Sequence, residues 1–577
     1  MRPPKPWILR WPGLALAAVI ALAYRGSEGD LHRLFSRESR AALIDFSLGF
    51  WPPAHDPEFL GSIVRPLLET VAIAFLGVSV ALILAVPLSF LATSPLVTAS
   101  RGDRTGSARR LSFVAARLLL NGMRSIPELI WALIFVRIFG IGAGAGVLAI
   151  GIGYAGVLGK VFAEIFESLP RSAADGLASG GAPPLRGFTF GVLPAAMPLI
   201  GSYTLYRFDC ALRASAILGI VGAGGVGQQL ELSIKMFDYH QVASLIIALF
   251  VLVSGADIAS GRIRKLLQKS VGLLPLSKAP VWRRVGVLVA WVGAAAVAIR
   301  FLRIPVEELV SPQALRSAAS YVAAMFPPDL SWSFVSGLGP AILETLSISI
   351  LGTAIAAALG IVVAYPAALR TWSERISDEP KRSFGRFLRR VASWSARGVM
   401  NLSRTLPELL WALIFIFVVG LGPFAGALAL GIHTAGVLGR LYSEAIEEVS
   451  SGPLLAVRSG GATDRATFAF GAWPQAFPQL VAYTLYRWEV NIRASAVLGV
   501  VGAGGLGKAL YVSLGLFHYH RTLTLIAVIV GLVAAVDLLS GWLRRWAQQA
   551  GSSKALAVRF SETIEAQLEQ SFEGGYR

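Results

Sequence analysis

Residues 203–227 read YTLYRFDCALRASAILGIVGAGGVG, and residues 483–507 read YTLYRWEVNIRASAVLGVVGAGGLG. Seventeen of these 25 positions are identical, at an offset of 280 residues. Most differences keep the chemistry: Phe208/Trp488, Asp209/Glu489, Ile217/Val497 and Val226/Leu506. Self-similarity of this kind marks a duplication, and it has to be read before any single residue. Gly222, Gly224 and Gly227 fit G-x-G-x-x-G, as do Gly502, Gly504 and Gly507. A dinucleotide site needs a strand ahead of that pattern and an acidic residue about 20 positions behind it. Neither copy has them. With Gly225 and Gly505 included, the block reads as a close-packed loop between membrane helices.

Working outward, the composition is that of a membrane protein. Hydrophobic residues make up 55% of 577, charged residues 15%, and apolar runs such as Val71–Ala85, Leu245–Val253, Leu346–Ala364 and Leu523–Ala535 recur. A bilayer span needs about 20 mostly apolar residues, and flanking Gly and Ala bring several runs to that length. The net charge of +18 does not mark a nucleic-acid binder, because the basic residues sit in particular loops. Residues 93–124 hold Arg101, Arg104, Arg109, Arg110, Arg117 and Arg124 against Asp103 alone, and 261–284 hold seven Lys and Arg with no acid. By the positive-inside rule both are cytoplasmic. Spans are expected at 12–24 (retained, not a cleaved signal), 66–92, 127–139, about 147–163, 188–207 and 242–259. Six spans starting from the cytoplasm return to it, so both termini are expected there.

The second half repeats the plan. WPP at 51–53 returns as FPP at 326–328, and Leu68-Glu69-Thr70 as Leu343-Glu344-Thr345. RSIPELIWALIF (124–135) returns as RTLPELLWALIF (404–415), and AGVLGK (155–160) as AGVLGR (435–440). An even number of spans per half makes the repeats parallel, with a pseudo-two-fold axis along the membrane normal. The chain divides into a first repeat (1–265), a cytoplasmic linker (266–282), a second repeat (283–545) and a polar tail (546–577). The polar stretch 25–66 is partly amphipathic and suits the membrane surface.

No catalytic constellation appears. There is no HExxH, no G-x-S-x-G in a strand–turn–helix setting and no phosphate loop G-x-x-x-x-G-K-[ST]. Cys210 is the one cysteine, opposite Val490, and reads as a filler. His518 and His520 align with Asp238 and His240 and read as interfacial polar residues rather than metal ligands. No cofactor or metal is expected.

One polar stretch carries a recognisable spacing. Asp175, Gly181 and Leu193-Pro194 resemble the loop motif E-A-A-x-x-x-G-x9-I-x-L-P of ABC importer permeases, with Asp175 for the family Glu and Gly191 for the Ile. In the second copy Gly461 and Pro474 match, while Leu455 takes the acidic position and Trp473 that of the Leu. The whole series of blocks resembles the permease subunit of phosphonate/phosphite ABC importers, nearly throughout each half and fused in tandem. That resemblance implies an all-α polytopic protein of about twelve transmembrane helices, two parallel six-span repeats of the type I ABC importer permease fold, in the inner membrane. It implies coupling helices that two ATPase subunits, a homodimer, grip at 168–183 and 448–463. It also implies a periplasmic or lipid-anchored binding protein that delivers a small oxyanion, and an outer gate at the glycine block.

The arginines support an anion route separately. Arg207, Arg213, Arg487 and Arg493 are expected just beyond the fifth span of each half, on the outer side, with Asp209 and Glu489 as pairing partners. A charge at the bilayer centre costs about 2.5–3.5 kcal/mol on insertion scales, so such residues line polar paths or pair. Arg124 and Arg404 read as positive-inside anchors. The competing reading is a secondary transporter with parallel repeats, coupled to ions through Glu128 and Glu408. Their position after Pro also suits a first-turn acid favoured by the helix dipole. A membrane scaffold without transport is disfavoured by the two matched glycine blocks.

Overall fold

Lipid offers no hydrogen-bond partner, so apolar runs must satisfy their backbone internally, and they do so as helices. The computed structural model describes residues 6–27, 36–37, 44, 48–94, 107–170, 172–273, 281–309, 311–376 and 383–545, and contains no strand among them. The polar tail 546–577, most of 28–47, Arg101–Arg104 and the centre of the linker lie outside the described residues.

The first half contains α1 (Pro6–Gly26), α2 (Pro57–Ala92), α3 (Ser107–Ser125), α4 (Glu128–Phe139), α5 (Ala143–Ser168), α6 (Ser172–Ser179), α7 (Leu193–Leu218), α8 (Val226–Lys235) and α9 (Tyr239–Leu273). The second half repeats them as α10 (Val281–Phe301), α11 (Gly339–Ile376), α12 (Ser383–Thr405), α13 (Glu408–Val419), α14 (Pro423–Glu447), α15 (Ser451–Ser459), α16 (Trp473–Leu498), α17 (Gly505–Gly515) and α18 (Tyr519–Arg545). Seven of the described helices are long and apolar enough to span, or up to ten segments when bent pairs count as one. The two shorter apolar helices, Leu16–Gly26 and Val285–Phe301, complete six segments per half.

Two expectations about the spans change. The basic loop 93–124 is helical from Ser107 onward. Its arginines are interleaved with apolar residues at helical spacing, so Ala116 and Leu120 bury while Leu111 and Leu118 stay exposed. The chain then turns by 87° into α4, and by 92° at the equivalent place in the second half. Pro127 and Pro407 cause both turns, because each lacks an N–H and drives the residue before it out of the helical region. The fifth span does not stop at Arg207. Helix α7 continues through it to Leu218, and α16 likewise runs to Leu498.

Close packing within each half uses small residues, as membrane bundles do. A Cβ at Gly156 would stand 2.6 Å from the Arg124 backbone nitrogen, and one at Gly436 would stand 2.6 Å from the Met400 carbonyl. The first helices exchange places between halves. Helix α1 packs on α11, with Ala23 and Tyr24 beside Leu351 and Phe424. Helix α10 packs on α2, its Trp291 ring 4.8 Å from Phe75. The short helices α4 and α13 also cross over. Ile130 and Ile134 bury among Ile492, Leu510 and Ile529, and Leu406 and Leu410 bury among Leu230, Leu245 and Leu249.

Candidate translocation site

The site starts at the two loops expected to couple to an ATPase. Both α6 and α15 stand largely exposed: α6 buries no residue and α15 only Leu454. Asp175 lies in the first turn of α6, and Leu455, 51% exposed, holds the matching place on α15. Gly181 and Gly461 follow these helices with φ of +80° each, a conformation that glycine adopts without cost. Gly191 fills the family Ile position because α6 leaves no room there: a Cβ would stand 2.8 Å from the Ala174 backbone nitrogen. Pro194 and Pro474 each occupy an early helical position of the next helix, where a missing N–H is harmless.

The glycine blocks lie at the opposite ends of α7 and α16. Gly222, Gly224 and Gly225 have φ of +92°, +85° and +75°, and Gly502, Gly504 and Gly505 have +100°, +81° and +69°. Gly227 and Gly507 press on the carbonyls of Ala216 and Ala496, where a Cβ would overlap them. The repeated Glu-Thr pairs of α2 and α11 find their purpose here. Thr70 Oγ1 accepts from the Val226 N–H at 2.9 Å, and Glu69 accepts from Gly225 at 3.4 Å. Thr345 and Glu344 do the same for Leu506 and Gly505, at 2.9 and 2.6 Å. These N–H groups are therefore held by the protein's own side chains rather than left open for an anion. The apolar residues ahead of the two loops, Val221 and Val501, pack on one core shared by both halves. His240 and His520 tie down the WPP and FPP segments, each ring Nδ1 2.7 Å from the carbonyl of Pro52 or Pro327.

Between these ends the arginines take up positions that the sequence did not reveal. Arg207, Arg213, Arg487 and Arg493 are mid-helix residues, half-buried inside the bundle, not interfacial residues beyond a span. Their expected acidic partners are mostly engaged elsewhere. Asp209 accepts from Ser260 at 2.6 Å and lies 3.7 Å from Arg264. Glu489 pairs with Arg544 at 2.9 Å and touches Arg493 at 3.6 Å. Arg207 donates to the Tyr203 hydroxyl at 3.1 Å and lies over the Tyr154, Tyr203 and Tyr206 rings. Arg213 reaches the Arg404 carbonyl of the other half at 3.4 Å.

Arg124 and Arg404 are not simple anchors either. Arg124 pairs with Asp537 at 3.1 Å and Arg404 with Asp257 at 2.7 Å. Each bridge joins one half to the other, and the two are related by the repeat offset. Asp209, Asp257, Glu489 and Asp537 each lie beside an arginine of another helix, Glu489 also touches Arg493, Glu128 lies within electrostatic reach of Arg207 and Arg493, and Glu408 within reach of Arg487. The eight arginines of this cluster, Arg264 and Arg544 included, exceed its six acids by two charges.

The faces of α7 and α16 that carry these arginines look at each other. Tyr206 and Tyr486, both 45% exposed, are within electrostatic reach across the pseudo-axis, as are Arg487 and Tyr206. Toward α6 and α15 the two helices and the turns leading into them carry exposed apolar residues, Phe190, Met197, Phe470 and Phe477. Toward the glycine blocks they close: Leu212, Ser215, Leu218, Ile492, Ser495 and Leu498 are all buried. The arginines thus lie between exposed helix faces on the side of α6 and α15 and buried ones on the glycine side. Among the described residues no cluster of side chains could hold a metal ion.

Residues 102–272 and again 383–549 match the binding-protein-dependent transport system inner membrane component family. The chain belongs to this family. Its members are the membrane pores of ABC importers and work with an ATPase and a substrate-binding protein, so this permease is a transport subunit, not an enzyme, in the inner membrane. It is 32% identical to the phosphate-import permease protein PhnE of Mycolicibacterium smegmatis over 85% of this chain and 86% of that one. It is 36% identical to the phosphite transport system permease protein PtxC of Stutzerimonas stutzeri, over 46% of this chain and 90% of that one. PtxC therefore corresponds to about half of this permease, as a single repeat would. Among solved structures it is similar to the inward-facing MetNI methionine ABC transporter, 23% identical over 38% of this chain and 99% of that one, with a TM-score of 0.31.

Proposed function

We propose that this permease forms the whole pore of an ABC importer for phosphite, phosphonate, phosphate or a related small phosphorus oxyanion. The observation that carries the reading is the arginine cluster at the centre of the bundle, eight arginines against six acids, which we read as lining a cavity between α7 and α16. A phosphorus oxyanion carries about one to two negative charges near neutral pH, which complements that excess. The names of the relatives, a phosphate-import and a phosphite permease, point to the same class of cargo.

In this reading two identical ATPase subunits hold α6 and α15 at the cytoplasmic face. A periplasmic or lipid-anchored binding protein releases the anion at the glycine-block face. Closure of the ATPases drives α6 and α15 together and opens the sealed end of α7 and α16. Both termini lie in the cytoplasm, and 1–265 and 283–545 act as the two pore halves joined by 266–282. The gate residues are Gly222, Gly224, Gly225, Gly227, Gly502, Gly504, Gly505 and Gly507. Arg207, Arg213, Arg487 and Arg493 line the path.

The test is reconstitution of the permease with its ATPase and binding protein in vesicles. ATP-dependent uptake of labelled phosphite, methylphosphonate or phosphate supports the reading. Uptake driven by an ion gradient in the permease alone, or no uptake of any of the three, overturns it.

A further inference from the structure

The two halves of the cavity are not equivalent, and the difference falls on its arginines. In the first half Tyr203 lies one helical turn before Arg207 and accepts its Nε–H at 3.1 Å. In the second half the corresponding hydroxyl, on Tyr483, is turned the other way and accepts from Gln479 Nε2 at 2.8 Å. Position 479 is Leu199 in the first half, which has no donor to offer. The consequence is visible at Arg487. Its Nε is buried and has no hydrogen-bond partner among the described residues.

A second substitution acts in the same direction. His433 replaces Gly153 and sets its Nε2 3.6 Å from Glu408 Oε2, so the nearest acid to Arg487 has a neighbour of its own. The opposite guanidinium, Arg207, is occupied by a hydroxyl and covered by three aromatic rings. A buried, unpartnered guanidinium donor is costly unless a ligand supplies the missing acceptor. It also has the geometry to grip an oxyanion through two parallel N–H bonds.

We infer that the cavity holds its phosphorus oxyanion off the pseudo-two-fold axis, on Arg487, with Gln479 as the positioning residue that keeps Tyr483 away from it. Tyr206 and Tyr486, which face Arg487 from either half, close the site with hydroxyl donors. The inference rests on the importer reading and assigns one substrate contact within it. Arg207 serves as a structural and electrostatic neighbour.

The experiment uses the complete reconstituted importer with phosphite and inorganic phosphate as probes, and reads KM and kcat separately, with transport per ATP hydrolysed. Arg487→Gln is expected to raise KM about tenfold or more, the scale of a lost charged hydrogen bond. Arg207→Gln is expected to raise it about threefold, the share of a removed neighbouring charge. Gln479→Leu frees the Tyr483 hydroxyl to engage Arg487 and is expected to raise KM several-fold with kcat kept. Tyr483→Phe added to Gln479→Leu removes the competing hydroxyl and restores KM. Leu199→Gln, which copies the second half into the first, is expected to lower KM by freeing Arg207. Equal losses from Arg207→Gln and Arg487→Gln overturn the inference, and so does a Gln479→Leu defect that Tyr483→Phe does not rescue. Those outcomes leave the importer reading standing, whereas a wild-type importer that takes up neither probe removes both.

Discussion

Replacing Asp257 by Asn should destabilise this permease more than replacing its partner Arg404 by Gln. The bridge between them is 2.7 Å long, with side chains 32% and 15% exposed. Breaking a fully buried pair costs about 3–5 kcal/mol and an exposed one about 0–1. The partial exposure places Asp257→Asn near 2–3 kcal/mol. The two ends differ because of what surrounds them. Arg404 has Arg213 and Arg440 in electrostatic reach, so loss of Asp257 leaves its guanidinium beside two like charges with no acid paired to it. Loss of Arg404 leaves Asp257 with Arg440 and Arg213 still near, and should cost about 1 kcal/mol. The charge swap, Asp257→Arg with Arg404→Asp, should recover about half of the summed single losses. The assay is reversible unfolding in mixed micelles followed by the fluorescence of the 14 tryptophans, run as a double-mutant cycle. Equal losses for the two single variants, or a swap no better than the sum, would refute the argument that this bridge fastens the halves together.

Other measurements address other parts of the structure. Gly224→Val with Gly504→Val puts branched side chains at φ of +85° and +81°, and should abolish uptake while the protein still inserts, checked by expression and vesicle uptake. Thr345→Val removes the acceptor of the Leu506 N–H and should cost about 1–3 kcal/mol, seen as faster amide exchange at the start of α17. Gly181→Pro should uncouple ATP hydrolysis from uptake by breaking the turn after α6, whereas Asp175→Ala should leave most of the coupling, read as transport per ATP. Ahead of α11, hydrogen bonds from Ser331 and then Arg521 hold the Asp329 carboxyl below the usual carboxylate range. A depressed carboxylate contributes stability above its unfolded pKa and loses it as pH falls through the folded one. Amide protection around 325–335, measured against the intrinsic exchange rate at each pH, should therefore be flat from pH 7 to about 4 and fall only below that.

The duplication, the exposed helices α6 and α15 and the glycine turns were legible in the sequence because each depends on local residues at fixed spacing. Gly181 ends α6 at the place where a left-handed residue is required, and the repeat doubled the signal. The arginines were misplaced for a physical reason. A run such as Tyr-Arg-Phe-Asp looks like the end of a span when lipid is assumed on every side, yet α7 carries it through the bundle because Arg207 and Asp209 meet aromatic and polar groups of other helices. Arg124 and Arg404 sit beside basic stretches, and nothing local shows acids more than 140 residues away in sequence, on α9 and α18. The exchange of α1 and α10 is equally non-local. The departure that matters most in the cavity, Leu199 against Gln479, was present in the aligned repeats. It acquired meaning only when the two tyrosine hydroxyls proved to point in opposite directions.

The covalent joining of the halves has a consequence for how such a pore can evolve. When two identical subunits pair, every substitution is made twice, and any gain on one wall of the channel is imposed on the other. A single polypeptide is released from that constraint. Position 433 can be histidine while 153 stays glycine, and Asn491 can bind Thr353 and Thr434 while its counterpart Ala211 faces only apolar neighbours. The interleaving of α1 and α10 keeps the two unlike walls in register, because each half is completed by a helix that the other contributes. Such a channel can specialise one wall for cargo and the other for mechanical support, a division of labour closed to any symmetric dimer.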